Sequence, residues 1–253
     1  MKEKFEKLYI EFKKISEKGY IKGIYNFSSS IGRTLEHELG LEMNKECVPD
    51  YEGIEIKTRR TYSKSLITLF TAVPDGEKPL ELTRIKDTYG YPCKRDRRYK
   101  ALYVEAYANK LNFAGIKFQY KLEIDRESQK IYLCIYNKKG ELLERQTHWS
   151  FDYLREKLTN KLQLLAIINV WPKEIDGWNY FNYYKIKFYV LKNFDTFLKL
   201  IEDGKMVLRI KIDIYYDENN YGKTYDHGCS FSISENDINE LFYQYHLNVD
   251  KHI

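Results

Sequence analysis

The chain has 253 residues, 43% of them hydrophobic and 31% charged, a composition that excludes a disordered or fibrous chain and permits a sizeable core. No apolar run approaches the roughly 18 residues of a membrane-spanning helix, and the start MKEKFEKLYIEFKK lacks a signal-type apolar stretch, so a cytoplasmic location is expected. Lys and Arg exceed Asp and Glu by 42 to 37, for a net charge of +5; this is compatible with a polyanionic partner without demanding one.

Residues 3–18 read as an amphipathic helix, because Phe5, Leu8, Tyr9, Phe12 and Ile15 recur at spacings of three and four, and Gly19 can end it. After the polar loop NFSSSIG, the segment RTLEHELG reads as a short helix closed by Gly40. Residues 53–58 and 66–72 read as strands, a hairpin or adjacent strands of one sheet. PDGEKP at 74–79 is turn material, and KRDRRYK at 94–100 is a dense basic run. From 101 to 146 the pattern is mostly strand, with FQYKLEID, KIYLCIYN and ELLERQTHW as a meander. A helix over 151–162, a buried strand over 164–171, a strand region over 180–191 and a helix over 194–202 follow. VLRIKIDIYY and CSFSIS read as strands that bracket the loop DENNYGKTYDHG, and a last helix begins near Ser234. The whole reads as one mixed α/β (α+β) protein with two lobes, about residues 1–92 forming the catalytic core and about 93–253 mainly gripping substrate, with some return to the catalytic lobe.

Cys47, Cys93, Cys134 and Cys229 never fall within four residues of one another, which excludes a zinc knuckle and suits free thiols. No GxxxxGK[ST] loop is present, so no nucleotide-driven motor is expected. The 24 tyrosines fit the codon bias of an AT-rich genome, although such rings can also line a nucleic-acid surface. Trp149, Trp171 and Trp178 read as packing residues.

The chemistry concentrates in PDYEGIEIKTRR, residues 49–60. On a strand, side chains alternate, so Ile54 and Ile56 share a buried face while Glu55 and Lys57 share the other. Asp50 lies just upstream, on a turn made plausible by Pro49 and Gly53, and can bend back towards Glu55. Two close carboxylates repel unless a cation sits between them, and hard oxygen ligands suit Mg²⁺. Lys57 can stabilise developing negative charge or orient an attacking water. Glu36, on the preceding helix, can complete the group. Phosphodiester hydrolysis needs this set of parts.

The run GRTLEHELGLEMN, PDYEGIEIKT and SLITLFTAVP resembles the MvaI/BcnI family of type II restriction endonucleases, PD-(D/E)XK nucleases related to the nicking enzyme MutH. HWSFDYL (148–154) and GKTYDHGCSFSI (222–233) carry the resemblance nearly to the end of the chain. The resemblance implies a MutH-like, two-lobed nuclease of a prokaryotic cytoplasm, acting as a monomer on double-stranded DNA, with a cognate methyltransferase in the same cell. It implies Asp50, Glu55 and Ile56 as contacts to Mg²⁺, with Mn²⁺ as a substitute, and Glu36, Asp50, Glu55 and Lys57 as the catalytic set. It also implies a short GC-rich pseudosymmetric site and 5′-phosphate products.

Further residues are DNA-contact candidates. Arg59 and Arg60 continue the catalytic strand, and Arg97 and Arg98 belong to the basic run, together with Lys94, Arg95 and Lys100. Arg209 and Lys211 alternate onto one strand face. Lys223, Tyr225, Asp226 and His227 sit between Gly222 and Gly228, which allow sharp turns. The polar residues at 209–232 differ from the set that one namesake of the family presents to DNA, so no target sequence carries over. Two other readings stay open: a MutH-like repair nickase that needs an activating partner, and a catalytically inactive DNA-binding protein.

Overall fold

The computed structural model describes residues 1–27, 29–41, 49–75 and 81–247. Cys47 and most of the expected turn at 74–79 lie outside the described residues. In chain order the elements begin with α1 (Lys2–Glu17), β1 (Tyr20–Lys22), α2 (Ser30–Glu38), β2 (Glu55–Arg60) and β3 (Ile67–Thr71). Then come α3 (Glu81–Tyr89), β4 (Tyr91–Pro92), β5 (Lys100–Ala106), β6 (Asn112–Ala114), β7 (Phe118–Asp125) and β8 (Lys130–Asn137). β9 (Leu142–Glu144), β10 (His148–Ser150), α4 (Phe151–Leu162), β11 (Leu164–Ile175), β12 (Trp178–Leu191) and α5 (Phe194–Glu202) follow. The chain closes with β13 (Met206–Ile214), β14 (Thr224–Ile233), α6 (Ile238–Leu241) and β15 (Phe242–Tyr245).

Two compact units share these elements. The first takes Met1–Ser65, Thr159–Lys192 and Phe242–Ile253; the second takes Leu66–Leu158 and Asn193–Leu241. In the first unit one sheet runs in the order β1-β12-β11-β2, with β15 paired to β12. Its frame is the β11–β12 hairpin, whose two-residue turn, Asp176–Gly177, has both φ angles positive (49° and 72°). Asp-Gly is the sequence signature of such a type I′ turn, because both residues tolerate the left-handed region. β2 adds to β11 in parallel, with Leu165 beside Glu55 and Ile167 beside Lys57. The α1 periodicity buries Phe5, Leu8, Phe12 and Ile15. These pack with Leu35 of α2 and with Ile54, Ile56, Ile168 and Val170, forming the core of this unit. Gly19 (φ 70°) follows α1, as expected of a helix stop.

The second unit holds two sheets, ordered β3-β14-β13-β5-β4 and β10-β8-β7-β6, the latter with β9 on β8. Trp149 is fully buried there, donates Nε1–H to the Ala72 carbonyl at 3.0 Å, and meets the Phe231 ring edge-on at 6.3 Å. Asn193 caps α5 by accepting the Thr196 amide at 2.8 Å.

Five points differ from the sequence reading. The strands expected over 53–58 and 66–72 are not partners: β2 pairs with β11, and β3 pairs with β14. The division consequently falls at Ser65/Leu66, not near residue 92. Thr224–Gly228, read as loop, is the first half of β14: Thr224–Asp226 pair with Ile212–Ile214, and a register shift follows. α3 went unread; its apolar residues Leu82 and Ile85 are buried, and Arg84 binds Glu81 and Glu144. The segment 142–150 is two short strands rather than one.

Candidate active site

Asp50 is placed by a tight local turn. Tyr51 and Ile54 exchange backbone hydrogen bonds (3.0 and 2.7 Å) around Glu52 and Gly53, whose φ angles are 45° and 88°. Glycine adopts such an angle without strain, while Glu52 is held there by the reversal. The turn folds Asp50 back along β2. β2 is the edge strand of its sheet, so a backbone amide on its open side has no ladder partner. Asp50 Oδ2 accepts the amide of Ile56 at 2.8 Å. The sequence expectation that Asp50 bends back towards Glu55 therefore has a concrete anchor one residue along.

Strand alternation holds as read. Ile54 and Ile56 are buried in the core, and Glu55 and Lys57 share the opposite face. That face is less open than the pattern suggested: Glu55 is 1% exposed and Lys57 27%. Lys57 Nζ donates to Glu55 Oε1 in a short bond. The same Oε1 lies 3.6 Å from Nζ of Lys161, at the end of α4. Oε2 of Glu55 is buried and has no hydrogen-bond partner.

Burial pushes the Glu55 carboxyl above its ordinary range, Lys57 opposes the shift, and Asp50 adds to it. Glu36 is also raised, by burial first and by the Asp50 charge second, with Arg33 and Lys57 opposing. Glu36 thus belongs to the same electrostatic group as Asp50 and Lys57. At Gly32, one helical turn before it, a Cβ would meet β2 in ordinary contact, 3.7 Å from Thr58 Oγ1, and lie 3.9 Å from Glu36 Oε1.

A buried carboxylate oxygen without a donor is costly unless something positive meets it. Oε2 of Glu55, in a carboxyl that feels the Asp50 charge, fits a hard cation that keeps several waters and needs only one or two carboxylates. Among the described residues no three His, Cys, Asp or Glu side chains converge as a full metal cage.

The other candidates disperse. Arg59 is 8% exposed and donates to the carbonyls of Ser63 (2.6 Å) and Ser65 (3.0 Å). It braces the turn after β2. Arg60 is half-buried at the end of β2. Arg97 and Arg98 are exposed, and Arg98 is paired with Asp96 at 2.6 Å. Lys100 donates to the last carbonyls of α3, those of Asp87 and Thr88.

In the second unit, Arg209 and Lys211 do share a face of β13. Arg209 lies 3.2 Å from Glu105, and burial and Arg209 together lower the Lys211 ammonium. Tyr103, Glu105, Asn112, Phe113, Arg209 and Lys211 line a cavity of about 260 Å³. Lys223, Tyr225, Asp226 and His227 are exposed along β14 and its approach. The Tyr225 and His227 rings are 4.1 Å apart, and Asp226 accepts the Gly228 amide at 2.7 Å.

Sequence reasoning missed Asp213, which lies on the Arg209 and Lys211 face of β13 and accepts the Tyr103 hydroxyl at 2.9 Å. Continuing the two-residue alternation would have found it. It also missed Lys161, for which local sequence carries no signal.

Comparisons with known proteins bear on family and fold. The MvaI/BcnI restriction endonuclease family profile matches residues 10–242. The chain is similar to the solved complex of restriction endonuclease MvaI with its cognate DNA substrate, at 27% identity and TM-score 0.89, over 97% of this chain and 98% of that one. It is also similar to MvaI in the absence of DNA, at 26% identity and TM-score 0.62, over the same shares. No curated protein matches it. A match over nearly the whole length, together with the same mixed α+β architecture, means that the chain belongs to the MvaI/BcnI restriction endonuclease family.

Proposed function

We propose that this protein is a type II restriction endonuclease with a PD-(D/E)XK centre, which hydrolyses double-stranded DNA at a short, GC-rich pseudosymmetric site and leaves 5′-phosphates. The observation that carries this reading is Glu55 and Lys57 on the edge strand β2 with Asp50 folded back against it, one Glu55 oxygen bound by lysine and the other unpartnered. Family membership and the similarity to a protein solved with cognate DNA support the substrate class.

Asp50 and Glu55, with the carbonyl of Ile56, would hold Mg²⁺, and Mn²⁺ would substitute. When bound, the cation polarises a phosphoryl oxygen and lowers the pKa of a coordinated water. Lys57 orients the attacking water and stabilises the charge that develops on the phosphate. Glu36, coupled to Asp50, adds negative charge that retains the cation. The first unit is the catalytic lobe. The second reads DNA through β13 and β14, where Lys211, Tyr225, Asp226 and His227 are exposed. The protein acts as a monomer in a prokaryotic cytoplasm, alongside a methyltransferase that protects the host site.

The test is incubation of the purified protein with unmethylated DNA of several sequences and Mg²⁺, followed by end mapping. Discrete double-strand fragments with 5′-phosphates are expected, and none in EDTA. Absence of discrete fragments from every DNA tried, or nicking only with an added partner, would overturn the reading.

A further inference from the structure

Two lysines face a single oxygen of Glu55, one by a hydrogen bond and one as an ion pair at 3.6 Å. Lys57 is its neighbour on β2, and Lys161 arrives from a distant part of the chain. The placement of Lys161 follows from the fold. Leu154, Leu158 and Leu162 of α4 are buried at spacings of four, which sets the rotation of the helix about its axis. The chain then enters β11 at Leu164, and the parallel register puts Leu165 beside Glu55. Lys161, in the last turn of α4 and 24% exposed, is thereby brought within 3.6 Å of Glu55 Oε1.

Resting on the nuclease reading above, we infer that Lys161 is a positioning residue of the active centre: with Lys57 it holds Glu55 by Oε1, so that Oε2 is kept for the catalytic cation. One donated hydrogen bond, from Lys57, and a second ammonium 3.6 Å away draw the carboxylate's charge to Oε1, and the unpartnered Oε2 is its counterpart. Lys161 also adds a positive charge beside Glu55, whose ionised form the Asp50 charge disfavours.

The experiment compares wild type, Lys161→Met and Lys161→Arg. Mn²⁺ binding to the protein alone is read by electron paramagnetic resonance. Single-turnover cleavage is read at saturating Mg²⁺ on DNA that the wild type cuts. Residues that orient a metal ligand typically contribute 10- to 100-fold, so Lys161→Met should bind Mn²⁺ about tenfold more weakly and cut about 10- to 100-fold more slowly. Lys161→Arg, which keeps a cation within reach of Oε1, should recover most of both. A bystander lysine that merely repels the metal predicts the opposite sign. Tighter or unchanged Mn²⁺ binding in Lys161→Met, or undiminished cleavage, would therefore overturn the inference. Should Lys161→Met lose its circular-dichroism signature of folding, Lys161→Gln takes its place under the same criteria. A wild type that neither binds Mn²⁺ nor cuts DNA refutes the nuclease reading and this inference with it. A wild type that does both, matched by Lys161→Met, refutes the Lys161 role alone.

Discussion

Lys57→Ala in metal-free protein separates the electrostatics of the centre from its chemistry. Glu55 is 1% exposed, and the substitution removes the donor closest to its carboxylate. Breaking one side of a fully buried ion pair costs about 3–5 kcal/mol. Here Lys57 is 27% exposed and Lys161 remains 3.6 Å from the same oxygen, so a loss of about 1–3 kcal/mol is expected after discounting for solvent. For a chain of this size that lowers the thermal midpoint by about 2–12 °C. The sign with pH follows from the charge. The loss exists only while Glu55 is ionised, so it is largest at pH 8 and shrinks as acid protonates the carboxyl. Adding Glu55→Gln to Lys57→Ala should restore most of the midpoint, because the amide carries no charge to be compensated. The assay is thermal unfolding in EDTA, followed by circular dichroism at pH 8 and at mildly acidic pH. A single variant that unfolds at the wild-type midpoint at pH 8, or a double variant no better than the single, would refute the reasoning. In Mg²⁺, Lys57→Ala should lose cleavage by about 10²–10³-fold or more while still binding DNA in Ca²⁺.

Burial holds Glu55 and Glu36 above the ordinary carboxyl value of 4.5, and a raised folded pKa contributes stability that is present below the unfolded value and lost as pH rises through the folded one. The midpoint of EDTA-treated protein should show this component falling upward from pH 4.5, and Glu36→Gln/Glu55→Gln should flatten it. Ile54 is fully buried in the core beneath the active strand, so Ile54→Ala should cost about 2–5 kcal/mol in denaturant unfolding. Lys211 is exposed on β13; if it meets one phosphate, Lys211→Ala should weaken DNA binding and flatten the log affinity against log salt slope by about one. An unchanged slope would remove it from the phosphate contacts.

Much of the centre was legible because it is local. A period of two along residues 54–57 sorts isoleucine from Glu55 and Lys57 whatever the strand pairs with. Glu52 and Gly53 then turn Asp50 back within a span of four residues. The α1 stripe was equally readable, since its burial depends only on helical spacing. The Asp176–Gly177 turn carried a hairpin signature that the reading passed over. Arg59 looked like a phosphate ligand because strand and charge were visible, whereas the Ser63 and Ser65 carbonyls that accept its guanidinium N–H groups depend on how the following turn closes.

The sequence by itself therefore determined the chemical inventory: a carboxylate pair, a lysine and an alternation that turns them away from the core. Only the tertiary structure decided which oxygen of Glu55 is engaged, that Lys161 reaches it, and that β2 lies beside β11 rather than β3. The physical reason is range. Side-chain alternation and turn chemistry are set by a residue's immediate neighbours, while strand partnership and the approach of α4 are set by the burial of whole faces that meet only when the chain is folded.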